Sequence, residues 1–497
     1  TASYQRRFAP ARATSGSYFS LVPYRQELFG AKSEARDADQ LGLFNEAEAL
    51  ASNAAPAQDD VPETQVDAHT RKKRGRRPLD PNLPRDVHRH ELPEAERFCA
   101  HDGHALVEIG MEISEQLDVI PEQVRVIQHQ RVKYACPCCE LGIKVTPAPA
   151  RVIARGLLSE SALAWIITGK YQFGMPLYRQ AGLLRRFGGD ISSNTLAASV
   201  VRVGLAIQPV INLMRDALLD AELIYCDETT FQVLKEKGRR PQTTSYLWAQ
   251  VTDSPVPIRP FTYTPGRGGK LAQGLFEGIR EGAVIMSDGY KPYEHIAQHH
   301  HLVHLGCWTH ARRGFVKAED NVPKAARTPD LLATRFIRLI GKLFAAEARS
   351  TAWQSERRQR LRRRYSARVL ELIHRLMVEQ APGVVPGSLL GKALTYLRGQ
   401  WPKLVRYVEN GDWVISNNPC ENAIRPFCLG RRSWLFADTV AGANASANLY
   451  SIVETCKAAR IDPYAYLLWL FKNLPSAKSV DDYDALLPWN MPAVQLR

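Results

Sequence analysis

The sequence predicts an α/β protein with a mixed sheet, on the basis of three observations. Two apolar runs of strand length, 223–227 and 284–288, each end in an aspartate. Between them lie further segments with the period of strands, and then one with the period of a helix at 270–279. The strand-like segments are 230–234, 245–251 and 258–263. The second aspartate-ending run is therefore expected to return beside the first.

This order of elements describes an RNase H-like core, in which Asp227 and Asp288 meet on neighbouring strands. A third acid, Glu421, opens a helical pattern farther along the chain. Hard cations such as Mg²⁺ or Mn²⁺ take oxygen ligands, and a metal pair about 3.5–4 Å apart can stabilise both oxygens of an in-line displacement. A single aspartate at a strand end is usually a turn or cap residue. The set of three instead predicts catalytic metal ligands for phosphoryl transfer.

Basic residues dominate the charge of the chain. Its 497 residues suffice for several domains, and the formal net charge is +14. Six of the seven residues 71–77 and six of the eight residues 357–364 are Lys or Arg. Such clusters favour a polyanionic partner, although either run alone could be a solvated surface. No apolar run approaches the roughly 18–20 residues of a membrane-spanning helix, so we expect a cytoplasmic protein without a membrane partner.

The first 96 residues are expected to hold little fixed structure. Residues 1–70 scatter Ala, Ser, Asp and Glu around one short apolar patch, and residues 71–96 form a basic, proline-rich linker. Within this linker, Arg74, Arg76 and Arg77 could lie in the narrow minor groove of A·T-rich DNA. The alternative is a basic linker that binds phosphates without sequence preference.

Residues 97–145 predict a small zinc-ribbon-like β module. Strand patterns at 107–111 and 123–132 are flanked by a Cys/His cluster and by a Cys-x-x-Cys pair. The zinc ligands in this prediction are Cys99, His101, Cys136 and Cys139. Asp102 stands where a second Cys-x-x-Cys pair would end, so His104 could replace His101, or the site could be degenerate. Clustered cysteines suit a reducing compartment and a metal site better than a disulfide framework.

Residues 150–219 are predicted to be a helical, helix-turn-helix-like segment. The helices at 176–187 and 195–204 are separated by a glycine pair and match the spacing of that motif. Asn194 and Thr195 would then meet base edges. A helical collar for the following domain is an equal alternative. Serine caps are expected at Ser159 or Ser161 for the first helix, and at Ser192 or Ser193 for the third.

The predicted catalytic domain covers 220–440, and C-terminal helices follow over 441–497. The 133 residues that separate Asp288 from Glu421 (421 − 288) exceed a plain core of this kind, so a helical insertion is expected at 320–410. Just before it, several side chains suit phosphate contacts near the acids, namely His310, Arg312 and Arg313. The alternative is that Cys307 and His310 bind a metal of their own.

Three arginines follow Glu421 along the chain. Arg425 is four residues away, on the same helical face, and could orient the acid or hold a phosphate. Arg431 and Arg432 precede the Trp434 and Phe436 region, where cations and aromatic rings together could cradle a DNA end. A buried Trp–Phe pair is the alternative interpretation.

Several motifs resemble those of a known family. In the second half of the chain they are Asp227-Glu228-Thr229, Ser287-Asp288-Gly289-Tyr290, Cys307-Trp308-Thr309-His310-Ala311-Arg312-Arg313, and Asn417-Asn418 through Arg425-Pro426. Upstream they are Ser114-Glu115-Gln116-Leu117-Asp118, Lys133-Tyr134-Ala135-Cys136 and Pro176-Leu177-Tyr178-Arg179-Gln180. The chain resembles the insertion sequence 66 family of bacterial DDE transposases. This resemblance implies an acid triad of Asp227, Asp288 and Glu421 on an RNase H-like fold with a helical insertion.

The chain departs from the family's pattern in two segments. Members usually begin with a leucine-zipper segment, but the first 40 residues here show no heptads, so we expect the zipper to be missing or replaced. Their zinc segment has two Cys-x-x-Cys pairs, and the first pair here is broken at Asp102. Ser416 also stands where the family commonly has Asp.

By this resemblance, the chain is expected to be a DNA transposase that cleaves the ends of an insertion sequence and joins the 3′-OH to target DNA. Asp227 would bridge two Mg²⁺ ions, and Asp288 and Glu421 would hold one each. Expected partners are double-stranded DNA, further copies of this chain in the nucleoid, and small accessory proteins of the same element. The rival functions are an RNase H-like nuclease that stops at hydrolysis and a transposase-derived DNA-binding regulator without catalytic activity.

Overall fold

The computed structural model describes residues 124–130, 133–135, 143–145 and 148–492. The described residues from His129 to Arg185 and from Asp190 onward belong to one unit. A second unit comprises 57–128 and 186–189, of which only 124–128 and 186–189 are described. The predictions for 1–70, for the linker 71–96 and for a strand at 107–111 fall outside the described residues.

Two short antiparallel strands belong to the predicted zinc module. They are β1 (Lys133–Ala135) and β2 (Ile143–Val145). The strand predicted at 123–132 is wrong over 124–130, which form no strand. An alternating strand buries one of its faces, whereas Val126 is 92% exposed and Ile127 is 52% exposed.

Four helices form the segment that precedes the large sheet. They are α1 (Glu160–Tyr171), α2 (Leu177–Arg186), α3 (Ser193–Ala206) and α4 (Gln208–Leu219). Two of them begin at predicted serine caps, because Ser159 accepts a hydrogen bond from the Ala162 amide and Ser192 accepts one from the Thr195 amide. Beyond α2, Gly188 adopts a φ of +87°, a conformation that favours glycine after a helix end. The predicted helices are therefore confirmed.

A mixed sheet has five strands in the order β5-β4-β3-β6-β7. The strands are β3 (Leu223–Lys235), β4 (Thr244–Val251), β5 (Phe261–Thr264), β6 (Val284–Ser287) and β7 (Val303–Gly306). β4 is antiparallel to β3 and β5, whereas β6 is parallel to both β3 and β7. Two helices lie between strands, α5 (Gly269–Gly274) before β6 and α6 (Lys291–His299) after it.

The strand predictions need two corrections. The segments predicted as separate strands at 223–227 and 230–234 form one strand, because β4 pairs with β3 without interruption from Tyr225 to Gln232. The helix predicted at 270–279 ends at Gly274, and Gly278 beyond it adopts a φ of +82° that would interrupt a helix.

The helices predicted between the second and third acids are confirmed. They are α7 (Trp308–Asp320), α8 (Leu332–Ser350), α9 (Ser355–Leu361), α10 (Ala367–Gln380) and α11 (Leu389–Leu404), with a π-helical turn at Arg362–Ser366. This helical insertion has an apolar core of its own, distinct from the core around the sheet. Within it, Phe315 stacks on Phe336 with ring centroids 4.4 Å apart.

The arginine-rich run 357–364 is partly internal. Arg362 is 1% exposed, and its Nη2 lies 2.6 Å from Glu347 Oε2 and 2.8 Å from the Trp413 carbonyl oxygen. Arg358 donates to the carbonyl oxygen of Gly411 at 2.9 Å. Both interpretations of this run from the sequence, a polyanion surface or a solvated surface, are therefore wrong for Arg362, which connects three segments of the insertion.

The last elements close the fold on both sides of the sheet. They are α12 (Asn418–Trp434), β8 (Ala437–Thr439), which pairs in parallel with the end of β3, and the helices α13 (Val440–Ala458), α14 (Pro463–Asn473) and α15 (Val480–Asp484). α3 packs so closely on α13 that a Cβ at Gly204 would lie 2.6 Å from the Ala445 Cβ. The helical segment is thus a collar on the sheet domain.

Among the described residues, no single helix has both the length and the apolar composition to cross a bilayer, although the bent pair α3 and α4 meets the two criteria jointly.

Candidate active site

The two predicted aspartates occupy equivalent positions on neighbouring parallel strands. Tyr225 of β3 lies opposite Met286 of β6, an offset of 61 residues (286 − 225). Asp227 and Asp288 have the same offset (288 − 227), and Asp288 immediately follows β6. Parallel strands in register therefore bring the two carboxylates to one edge of the sheet, as the sequence predicted.

Backbone amides orient both carboxylates. The Glu228 amide donates to Asp227 Oδ1 at 2.9 Å. The Tyr290 amide donates to Asp288 Oδ1, also at 2.9 Å. One oxygen of each carboxylate is thereby held, and both side chains stay partly exposed at the sheet edge.

Glu421 reaches the same place from the first turn of α12 and is 2% exposed. The start of this helix is fixed by Asn417, whose Nδ2 donates to the Cys226 carbonyl oxygen at 2.9 Å. The Asn417 backbone amide also lies 3.2 Å from the sulfur of Cys307. Because Cys226 precedes Asp227 directly, these bonds place the third acid beside the first.

Mutual repulsion among the acids is visible in their pKa values. Burial raises the pKa of the Asp227 carboxyl well above its usual range, and the charges of Asp288, Glu228 and Glu421 raise it further. Burial also raises the pKa of Asp288, while the Tyr290 amide and nearby basic side chains lower it. A cation bound among these oxygens would relieve the repulsion.

Two residues predicted to contact phosphates lie against Glu421. Arg313 Nη2 is 3.3 Å from Glu421 Oε2, and His310 Nδ1 is 3.4 Å from Oε1. Burial and the Arg313 charge lower the pKa of His310 to about 3, so its imidazole is neutral at physiological pH. The structure therefore places both residues around the third acid, and Arg312 beside them is half-buried.

A second donor set overlaps the first. One ligand atom each of Cys307, His310 and Glu421 lies within 4.8 Å of the others, so these residues could hold a metal ion. The sequence offered only Cys307 and His310 for this alternative, and the fold adds Glu421. Burial, however, raises the pKa of the Cys307 thiol to about 12, and a protonated thiol is a poor metal ligand.

The carboxylate set fits a hard divalent cation better. Asp227, Asp288 and Glu421 offer oxygen donors only, which is the preference of Mg²⁺ or Mn²⁺. Repulsion between closely placed carboxylates is what such a cation would neutralise. The chemistry of the donors thus matches a divalent metal at this edge of the sheet.

Glu228 is a fourth acid at the site that the sequence analysis missed as a functional residue. Its Oε2 accepts a hydrogen bond from the Tyr293 hydroxyl at 2.9 Å, and Arg267 Nη1 lies 3.8 Å from Oε1. Burial and the Asp288 charge raise its pKa to about 7. Alternation along a strand directs Glu228 away from the face of Asp227, and only the arrival of α6 beneath the sheet reveals its role.

The arginines after Glu421 differ in their surroundings. Arg431 Nη1 lies 2.9 Å from Thr230 Oγ1 and 3.4 Å from Thr229 Oγ1, so it is tied to β3. Arg425 is half-buried and Arg432 is exposed. The predicted buried Trp–Phe pair is wrong, because Phe436 is 42% exposed.

The remaining predicted site residues lie apart from the acids. Asn194 is exposed at the start of α3, whereas Thr195 is half-buried and its hydroxyl is 2.9 Å from Ser192 Oγ. The residues predicted to bind zinc or the minor groove fall outside the described part of the chain, namely Cys99, His101, Cys136, Cys139, Arg74, Arg76 and Arg77.

Comparison with known families identifies this arrangement. A model described as Transposase IS66 family matches residues 155–445, more than half of the chain, including all three acids. The chain belongs to the transposase IS66 family. The zinc-finger binding domain of transposase IS66 matches 96–140, and the IS66 C-terminal element matches 451–489. The chain therefore carries transposase and zinc-finger segments, as the motifs predicted.

One further match corrects a prediction about the N-terminus. A model described as Transposase C of IS166 homeodomain, which is the family's leucine-zipper segment by its short name, matches residues 21–87. The expectation that this segment is missing or replaced is therefore wrong at the level of family assignment. Residues 21–87 lie outside the described residues.

Three relatives from Sinorhizobium fredii (strain NBRC 101917 / NGR234) are similar over most of their length. The uncharacterized protein y4jD is 28% identical over 90% of this chain and 88% of its own. The uncharacterized protein y4hP is 29% identical over 94% of this chain and 86% of its own. The uncharacterized protein y4qI is 29% identical over 80% and 74%, respectively.

Proposed function

We propose that this family member is an active DNA transposase. It cleaves the ends of an insertion sequence and joins the freed 3′-OH to target DNA by metal-dependent phosphoryl transfer. The observation that carries the proposal is the convergence of Asp227, Asp288 and Glu421, which come from two adjacent strand ends and one helix start. Three oxygen donors from separate elements suit catalysis better than a local turn or cap does.

The sheet supports an RNase H-like assignment for the catalytic core. Its order is β5-β4-β3-β6-β7, with an antiparallel hairpin pair on one side of β3 and parallel strands on the other. The first acid lies on the central strand, and the second follows the next parallel strand. The helical insertion then separates the second acid from the third.

The chemistry is divided between the metal and the chain. Bound Mg²⁺ or Mn²⁺ would supply Lewis acidity to the oxygens around the reacting phosphorus. Asp227, which lies between the other two acids electrostatically, would contact both ions, and Asp288 and Glu421 would contact one each. Arg313 and His310 hold the Glu421 carboxylate in place.

The reaction has two balanced steps. In the first, a water oxygen forms a bond to phosphorus, the P–O3′ bond breaks, and a 3′-OH and a 5′-phosphate result. In the second, that 3′-OH oxygen forms a bond to a target phosphorus, and the target 3′-oxygen leaves with a proton. Neither step requires a covalent enzyme intermediate or a redox partner.

Several partners follow from this function as parts of the proposal. Double-stranded DNA supplies both the element ends and the target, which the positive net charge favours. Two ends brought together require more than one copy of the chain, and small accessory proteins of the same element would assist in the nucleoid. Zinc would be held by the zinc-finger segment.

Substitution of the acids tests the proposal. Asp227→Asn and Asp288→Asn remove a charge with little change in shape, so each variant should bind DNA ends like the wild type. Cleavage of a supercoiled donor plasmid in Mg²⁺ should fall by about 10²–10³-fold or more, because transition-state charge stabilisation is lost. Glu222→Gln is the matched control, since Glu222 is 83% exposed at the opposite end of β3 and should leave cleavage unchanged.

Three outcomes separate the rivals. Wild-type cleavage by either Asn variant would remove the acid triad. Cleavage without strand joining by the wild-type protein would indicate a nuclease. End binding without any cleavage, in Mg²⁺ and in Mn²⁺, would indicate a regulator derived from a transposase.

A further inference from the structure

Arg267 is a basic residue at the mouth of the carboxylate site that the sequence analysis did not single out. It lies in the loop between β5 and α5, and its side chain is 50% exposed. Its guanidinium carbon is 4.7 Å from the ring centroid of Tyr290 and 5.4 Å from that of Tyr246. Arg267 and these two tyrosines are called the Arg267 cluster below.

The cluster fixes the guanidinium next to the acids. The Tyr290 hydroxyl donates to the Arg267 carbonyl oxygen at 2.7 Å, which anchors the loop to the segment that carries Asp288. Cation–π contact with two rings restricts the side chain further. The Arg267 charge also lowers the pKa of Asp288, which is the electrostatic mark of their closeness.

Charge compensation alone would be the simplest role for Arg267. The distance of 3.8 Å from its Nη1 to Glu228 Oε1 is too long for a hydrogen bond. Among the described residues, the guanidinium donates no hydrogen bond to any acceptor. An arginine that is oriented by two rings, half-exposed and rich in available N–H donors is prepared for an acceptor from outside the chain.

We propose that Arg267 binds a backbone phosphate of the DNA end next to the phosphate that is cleaved. The inference rests on the proposed function and deepens it by assigning a DNA contact at the active site. A phosphate matches the guanidinium because it accepts two parallel N–H bonds. It also suits the position, since DNA that approaches four carboxylates needs a positive charge at their edge.

Phosphate neutralisation tests the contact by binding alone. Duplexes of the element end would carry one methylphosphonate at each position within three nucleotides of the cleavage site. Affinity would be measured for Asp227→Asn protein and for the same protein with Arg267→Ala. At one or two positions, neutralisation should weaken binding about tenfold when Arg267 is present and less than twofold when it is absent, because a charge-assisted bond can be lost only once.

Two further variants sharpen the result. Arg280→Ala is the matched control, because Arg280 is 53% exposed and its Nη1 lies 3.4 Å from Glu222, at the opposite end of β3. It should keep the full sensitivity to the methylphosphonates. Arg267→Lys keeps the charge but not the planar fork, and should show an intermediate loss.

Identical methylphosphonate profiles with and without Arg267 would overturn the inference and leave charge compensation as its role. A protein that never binds the element ends would overturn both this inference and the proposed function. Failure of wild-type protein to cleave would count against the proposed function alone, since the binding profile does not depend on chemistry.

Discussion

Arg313 and Glu421 form a buried ion pair, with Nη2 and Oε2 3.3 Å apart and side chains that are 11% and 2% exposed. The arginine lies on α7, at the start of the helical insertion, and the acid lies on α12, after its end. The insertion is therefore connected at its two ends through the third acid of the site. A buried charge that loses its partner is costly, which makes this pair measurable.

Arg313→Gln should destabilise the protein by about 3–5 kcal/mol in urea unfolding, because Glu421 keeps its buried charge without that counter-ion. Adding Glu421→Gln should recover a large part of the loss, with a coupling energy of about 1–3 kcal/mol. Arg185→Gln is the control, since its ion pair with Asp190 joins side chains that are 69% and 81% exposed. That change should cost less than about 1 kcal/mol. Additive effects of the Arg313 and Glu421 changes would contradict the pair.

Glu228→Gln should change how stability depends on pH when EDTA removes divalent ions. The folded pKa of about 7 lies above the ordinary 4.5, so the folded protein holds the proton more tightly than the unfolded chain. Stability contributed by this group therefore falls as pH rises from about 4.5 to about 7, and the full cost remains above that range. The variant should gain about 1–3 kcal/mol at pH 8 and little at pH 5.

Glu236→Gln provides the opposite sign on the same hairpin. Burial raises the pKa of Glu236, but hydrogen bonds from Ser245 and Tyr263 and the Arg239 charge outweigh burial and lower it overall. That carboxylate stabilises the fold above its unfolded pKa, so the variant should be less stable than wild type at pH 8. Parallel pH curves for Glu228→Gln and wild type would show that Glu228 titrates normally.

Purified protein should contain about one zinc per chain, bound by Cys136 and Cys139 with Cys99 and a nearby His. Elemental analysis of the Cys136→Ser, Cys139→Ser double variant should find the zinc lost. Cys138→Ser is the matched control and should retain it, because Cys138 is outside the Cys-x-x-Cys pair. Fresh wild-type protein without zinc would indicate a degenerate site.

Asn194→Ala should weaken binding to the element's ends by about 1–3 kcal/mol and binding to random DNA by almost nothing, since Asn can pair with adenine in two places. Thr195 is best changed to Ser, because its hydroxyl contacts the helix cap and Thr195→Ala would remove that contact. Thr195→Ser should show only the smaller loss of a methyl contact. Equal losses on both DNAs would leave α3 as part of the collar alone.

The sequence predicted the acids because their signals are local. A short apolar run followed by Asp is visible without knowledge of the rest of the chain, and the order of the runs implied that two of them pair. The caps at Ser159 and Ser192 were predictable for the same reason, since a cap acts within three residues. Features of this kind depend on spacing along the chain.

The residues that the sequence analysis missed depend on contacts between distant segments. Arg362 looked like one of six equivalent arginines, and only its hydrogen bonds to Tyr407 and Trp413, 45 and 51 residues away, distinguish it. Glu228 acquires its shifted pKa from burial and Tyr293, 65 residues away. Arg267 stands in a glycine-rich loop whose position is set by Tyr290. Periodicity carries no information about such partners.

The helical insertion also has a consequence for the time course of synthesis. Asp288 leaves the ribosome 133 residues (421 − 288) before Glu421. At about 5–20 residues per second, roughly 7–27 s separate the second acid from the third. Under the proposed function, a nascent chain in this interval, or a fragment that terminates within the insertion, has two acids and no third. Such chains would be unable to cut the host chromosome, so the layout delays nuclease activity until the enzyme is almost fully translated.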